Sequence, residues 1–167
     1  MVYLSASQII FEEQYALKEE FPYIFAALAI AVGFATFLNG SFVMKYGMLK
    51  LVSVFTITFT ATSVMYVVLF YGQENPKISI LLTFFGLQFF SLGFLFGNLR
   101  ALAMQPIGHI AGLGSAINGF VSTIMAVPIA TFIGSFMKTT SLPLFIGFAV
   151  CGTISILLLQ ILKRIKT

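Results

Sequence analysis

The sequence predicts an all-α integral membrane bundle, organised as a single transmembrane helical domain over residues 1–167, and three observations lead there. Hydrophobic residues make up 59% of the chain and charged residues 8%, with a mean hydropathy of +1.04. A soluble domain of that composition would lack the polar surface to stay dissolved. The nine Lys and Arg and the five acids, all Glu, fall between long apolar runs rather than inside them. The runs 21–44, 51–71, 78–98, 114–136 and 143–162 contain no Asp, Glu, Lys, Arg or His. Each reaches the roughly 20 residues that a helix needs to cross a ~30 Å hydrocarbon core. The expectation is five complete transmembrane helices plus a truncated first one.

That truncated element is residues 1–11, apolar and helix-compatible but about half the length of a span, running directly into Glu12 and Glu13. It reads as the outer half of a sixth helix. Tyr3, Ser7 and Phe11 align on it at helical spacing, an aromatic and hydroxyl face suited to an amphipathic organic ligand. The opening residues carry no basic n-region and no small-residue cleavage site, which argues against a removable signal peptide.

The complete spans carry small residues at the spacing used for close helix packing in lipid, where helices associate through backbone approach rather than hydrophobic burial. In the first, Ala27, Ala31, Ala35 and Asn39 recur at every fourth position, and in the third Gly93 and Gly97 form a GxxxG. In the fourth, Gly114, Asn118, Ser122, Ala126, Ala130 and Gly134 form a continuous narrow ridge, beside which Pro128 is expected to bend the helix. The fifth contains the only cysteine, Cys151, which leaves no disulfide framework and no thiolate metal site.

Polar residues at membrane depth cost free energy unless a partner or water satisfies them. Gln88, Ser91 and Asn98 share one face of the third span, and Ser115, Asn118, Ser122 and Met125 share one face of the fourth. Two readings stand: facing polar stripes that form a hydrated cleft, or interhelical hydrogen bonds between neutral side chains. Covalent chemistry is not expected. His109 is the single histidine and Asp is absent, so no apolar run offers a nucleophile with its base or a metal-ligand cluster. No enzyme activity, metal or cofactor is therefore expected. His109, between Pro106 and Gly112, reads as a solvated or loop-capping residue, and Glu12 and Glu13 as a solvated helix end.

Assigning the loops alternately to two sides puts Lys45, Lys50, Arg100, Lys163, Arg164 and Lys166 on one side with no acid. The other side holds Lys18, Lys77 and Lys138 with all five Glu. Basic residues concentrate in cytoplasmic loops, so the first side and the C-terminus are expected inside. This topology, rather than nucleic-acid binding, accounts for the net charge of +4 and the pI near 9.3.

The segment Gly97-Asn98-Leu-Arg100-Ala-Leu-Ala-Met104-Gln105-Pro106-Ile-Gly108-His109-Ile-Ala-Gly112-Leu-Gly-Ser115-Ala resembles the tenth-to-eleventh helix region of the Bcr/CflA-type drug-resistance transporters of the major facilitator superfamily. Tyr3-Leu-Ser5-Ala-Ser7 with Phe11 looks like that family's seventh helix, and Asn39-Gly40 through Lys45-Tyr-Gly47 like its eighth-to-ninth loop. The resemblance covers the whole chain as a C-terminal half. It implies the C-terminal six-helix half of a major facilitator fold, placed in the bacterial inner membrane as part of a multidrug or small-molecule efflux transporter. Such transporters work by proton-coupled antiport, two halves rocking about a central cavity. The implied partners are an amphipathic, drug-like small-molecule substrate, the proton, the lipid bilayer and an N-terminal transporter half. The acids that couple proton and drug in this family lie mainly in that other half, so the chain is expected to be incompetent alone. Tyr3, Ser7, Phe11, Gln88, Asn98 and Asn118 are the candidate substrate-cavity wall, and Lys45, Gly47 and Arg100 the candidate cytoplasmic gate. The alternative is a non-transporting membrane scaffold or assembly subunit, for which the small-residue ridges alone suffice.

Overall fold

The computed structural model describes residues 9–15, 17, 19–73, 75–137 and 140–165. Among these residues five α-helices follow one another: α1 (Phe21–Tyr46), α2 (Met48–Phe70), α3 (Ile78–Met104), α4 (Ala111–Ser135) and α5 (Leu142–Ile165). A six-residue π turn, Ile9–Gln14, precedes them, and a 3-10 turn, Gln105–Ile110, joins α3 to α4. In lipid the backbone must satisfy its own polar groups, so apolar runs of this length become helices whatever their intrinsic propensity. α2 illustrates this, because it is rich in Thr and Val. Its hydroxyls turn back onto carbonyls four residues earlier, Ser53 to Leu49, Thr56 to Val52, Thr60 to Thr56 and Ser63 to Phe59, at 2.7–2.8 Å, which hides their polarity within the helix.

Among the described residues, four helical stretches are long and apolar enough to cross a membrane: Phe21–Tyr46, Met48–Phe70, Ile78–Ser135 and Leu142–Arg164. The chain is a multi-pass membrane protein. The count corrects the expectation of five complete spans plus a truncated one, and with it the six-helix half implied by resemblance. The connection expected between residues 98 and 114 is shorter, because α3 runs on to Met104 and only the 3-10 turn Gln105–Ile110 separates it from α4. Pro106 sits in the first turn of the 3-10 segment, where its missing N–H costs nothing, and helical structure runs on from Ile78 to Ser135. The direction changes at Ile107 (φ −121°, ψ 25°) and Ile110 (φ −125°, ψ 38°), both outside helical geometry. Of the expected truncated first helix, residues 1–8, with Tyr3 and Ser7, lie outside the described residues, and Ile9–Phe11 belong to the π turn.

α3 is the axis of the packing, with α1 against one side and α2 against another, while α2 also packs along α5. Between α1 and α2 the chain reverses on one residue, Gly47, whose φ of 79° is open to glycine and strained for other residues. α1 meets α3 at the GxxxG. Gly93 lies against Ala35, and a Cβ built there would fall 2.5 Å from the Ala35 Cβ and 2.7 Å from the Val32 carbonyl oxygen. The ridge on α4 behaves differently. Gly114 is covered by Ile107 and Met104, and Ala130 is buried near the other end, but Ser122 between them is exposed and Asn118 only half-buried. α4 is packed at its two ends and open in the middle.

The larger core cluster lies toward the end where α2 leads into α3, and is aromatic. Tyr66 and Phe145 stack at 3.7 Å between ring centroids, and Phe85 and Phe145 at 5.3 Å. A polar clasp closes this end. The Tyr66 hydroxyl bonds Ser141 Oγ at 2.7 Å, the Ser141 amide donates to Asn75 Oδ1 at 3.1 Å, and the Asn75 amide donates to Gln14 Oε1 at 3.2 Å. Tyr15 donates to the Pro76 carbonyl at 2.7 Å. Burial, and then the neighbouring Tyr66, hold the Tyr15 phenol far above its ordinary range, so it stays a neutral donor.

Candidate functional site

The polar residues of α3 divide between packing seams and a cleft. Gln88 is fully buried and faces α2, its Nε2 donating to Ser63 Oγ at 2.6 Å and to the Phe59 carbonyl at 3.3 Å. Its Oε1 is buried with no partner among the described residues. Asn98 faces α1, donating to Asn39 Oδ1 at 2.7 Å and receiving the Asn39 amide at 3.5 Å, while Ser91 bonds back to the Leu87 carbonyl. For this stripe the interhelical reading holds for Gln88 and Asn98. Phe11 lies in the aromatic core, its ring 6.0 Å from Phe21 and 6.1 Å from Phe85, rather than on an open wall.

The stripe on α4 does line a cleft, though against a different wall. A cavity of about 600 Å³ opens between α3 and α4 and is bounded by Phe96, Arg100 and Met104 on one side and by Ser115, Asn118, Gly119, Ser122, Thr123 and Ala126 on the other. The two kinks in the connecting turn bring these surfaces together. Phe96, Arg100 and Met104 are spaced by four residues and so form one face of α3. Their mixed chemistry hides that face from a search for polar periodicity, and the regular spacing was the signal that could have found it.

Within the cleft Ser115 and Thr123 bond to backbone carbonyls of their own helix, at 3.0 Å to Gly112 and 2.9 Å to Gly119. The Asn118 amide and the Ser122 hydroxyl have no partner among the described residues, which leaves them free for water or a solute. Arg100 is exposed one turn before the end of α3. α3 has 27 residues and is about 40 Å long, more than the hydrocarbon thickness, so its guanidinium reaches the interface. The lining thus pairs an apolar surface for a hydrophobic body with amide, hydroxyl and guanidinium groups that orient it.

Of the expected gate, Arg100 belongs to this cleft, while Lys45 is exposed at the end of α1 and Gly47 makes the reversal into α2. The structure therefore brings Arg100 and Asn118 together and leaves Gln88, Asn98 and Phe11 in packing. His109 is exposed on the connecting turn. Glu12 and Glu13 fall in the π turn, and their side chains lie outside the described residues. Comparison of the chain with protein-family models, with curated proteins and with solved structures finds no match.

Proposed function

We propose that the chain forms one wall of a path by which a small amphipathic molecule crosses the membrane, acting as the C-terminal part of an efflux transporter of the Bcr/CflA type. The observation that carries this reading is the α3–α4 cleft, with unpartnered Asn118 and Ser122 opposite Phe96 and Met104. A bundle built only for packing would hold its polar side chains in hydrogen bonds, as this one does at Asn98 and at the Gln88 amide nitrogen. The proposed setting is the bacterial inner membrane, with the basic loops and the C-terminus cytoplasmic, which rests on the loop asymmetry. The proton is the proposed coupling ion, and its titrating carboxylates belong to an N-terminal partner half.

A moving cavity needs a second body, so the chain expressed alone should leave efflux of a fluorescent amphipathic dye at background. Co-expression with a matching N-terminal half should restore export. In the restored pair Asn118→Leu should lower the rate about tenfold, the equivalent of one lost hydrogen bond at ~1.4 kcal/mol. Thr58→Leu should be nearly silent, because that exposed residue bonds only its own helix, at 3.1 Å to the Val54 carbonyl. Robust efflux by the chain alone in liposomes free of other transporters would refute the shared-wall reading. A scaffold role predicts no export from any pairing.

A further inference from the structure

A second groove, of about 410 Å³, lies between α1 and α2, which splay apart over α3. Its floor is aromatic: Phe55 and Phe94 stack at 3.9 Å and 11°, Phe42 meets Phe94 edge-on at 6.0 Å, and Phe42 stacks on Tyr46 at 5.9 Å. At the Gly47 reversal the groove ends under charge. The ammonium groups of Lys45 and Lys50 stand 5.3 Å and 5.5 Å from the centroid of the same Tyr46 ring. Two like charges gathered at one ring repel, and a cation–π contact offsets only part of that. Among the described residues no acid is near to neutralise them. Glu19 and Glu20 precede α1, and the 26 residues of that helix put them about 39 Å from its far end.

We propose that this groove binds an anionic glycerophospholipid, with its phosphate head between Lys45 and Lys50 and one acyl chain laid along Phe42, Val54, Phe90 and Phe94. A membrane-facing groove with an apolar floor and a cationic mouth matches the two ends of such a lipid. Charge complementarity selects an anionic headgroup over a zwitterionic one, whose own ammonium would add a third positive charge at the mouth. Tyr46 contributes a phenol hydroxyl with no partner among the described residues, a donor at headgroup level. The bound lipid would tie α1 to α2 where helix-to-helix contact is sparse.

The full chain, purified in neutral detergent, can be titrated with phosphatidylglycerol or phosphatidylcholine and read by native mass spectrometry. Phosphatidylglycerol should bind as a discrete adduct and more tightly than phosphatidylcholine. Both lysines are exposed, so Lys45→Gln with Lys50→Gln should fold normally and weaken binding roughly fivefold per lysine, about 25-fold together. Arg164→Gln, which removes a cation at the end of α5, should leave binding within about twofold. Val54→Trp should block the groove with both lysines intact. Equal affinity for the two lipids, or binding unchanged in the double variant, would overturn the proposal. So would displacement by soluble glycerol phosphate, which would mark a bare anion site, or a dimer that forms at the expense of lipid, which would assign the groove to a second copy.

Discussion

Gly93→Val should destabilise the detergent-solubilised chain by about 3 kcal/mol or more, measured by titration to the unfolding midpoint in a denaturing detergent. Inserting bulk into a packed core costs typically ~1–3 kcal/mol when side chains can yield. At Gly93 the first added carbon meets the Ala35 Cβ at 2.5 Å, the Val32 carbonyl at 2.7 Å and the Thr36 amide nitrogen at 3.2 Å, and two of these are backbone. α1 must therefore move away from α3. That movement also strains the Thr36 to Gly93 hydrogen bond at 3.3 Å and the Asn39–Asn98 amide pair one to two turns along. Gly33 provides the control on the same helix pair. Nothing lies within 4 Å of a Cβ built there, so Gly33→Ala should be neutral or stabilising by up to about 1 kcal/mol through helix propensity. Equal midpoints for Gly93→Val and Gly33→Ala would mean that α1 and α3 do not cross where described.

Tyr66→Ala should be comparably severe, at about 3–5 kcal/mol, because it removes the largest fully buried side chain of the aromatic core. Its ring touches Phe70, Phe84 and Phe145 at centroid distances of 5.0, 5.1 and 3.7 Å, and they cannot all collapse into the space it leaves. Tyr66→Phe separates packing from polarity. It keeps the rings and deletes one hydroxyl, while Ser141 retains Asn75 at 3.4 Å, so the expected cost is about 0.6 kcal/mol, typical of a hydrogen bond in a membrane protein. If Tyr66→Phe proved as damaging as Tyr66→Ala, the polar clasp rather than the aromatic stack would hold this end together.

Much of the helical content was legible because a bilayer leaves a charge-free run no alternative to the helix. The helices extend past those runs at their basic ends, α1 to Tyr46 beyond Lys45 and α3 to Met104 beyond Arg100. Long cationic side chains reach the interface from inside the last turns, so an absence of charge marks the hydrocarbon and not the helix. The segment 99–113 misled for a related reason. Arg100, Pro106 and its glycines read as a loop, yet proline is tolerated in a first turn and the segment continues as a 3-10 turn.

The cleft was half legible. Ser115, Asn118 and Ser122 announced one wall by period alone, and they line it. Gln88 and Asn98 announced the other wall by the same rule and turned elsewhere. Periodicity gives which residues share a face of a helix, not which neighbour that face meets. Ser63 on α2 and Asn39 on α1 supply the partners that decided it.

In the proposed function the α3–α4 cleft is a hydrated solute path reached from the basic side of the membrane. With Cys151 replaced by Ala, single cysteines at Asn118, Ser122 and Ile124 can be exposed to a membrane-impermeant thiol reagent in right-side-out and inside-out vesicles. Thiol reactions need the hydrated thiolate, so Asn118→Cys and Ser122→Cys should react at least about tenfold faster than Ile124→Cys, which lies on α4 away from the cleft lining. The fast reaction should occur in inside-out vesicles, where the cytoplasmic face meets the reagent. Uniformly slow modification at all three positions, or modification only from the opposite face, would show that the cleft is not a hydrated path from the cytoplasmic side.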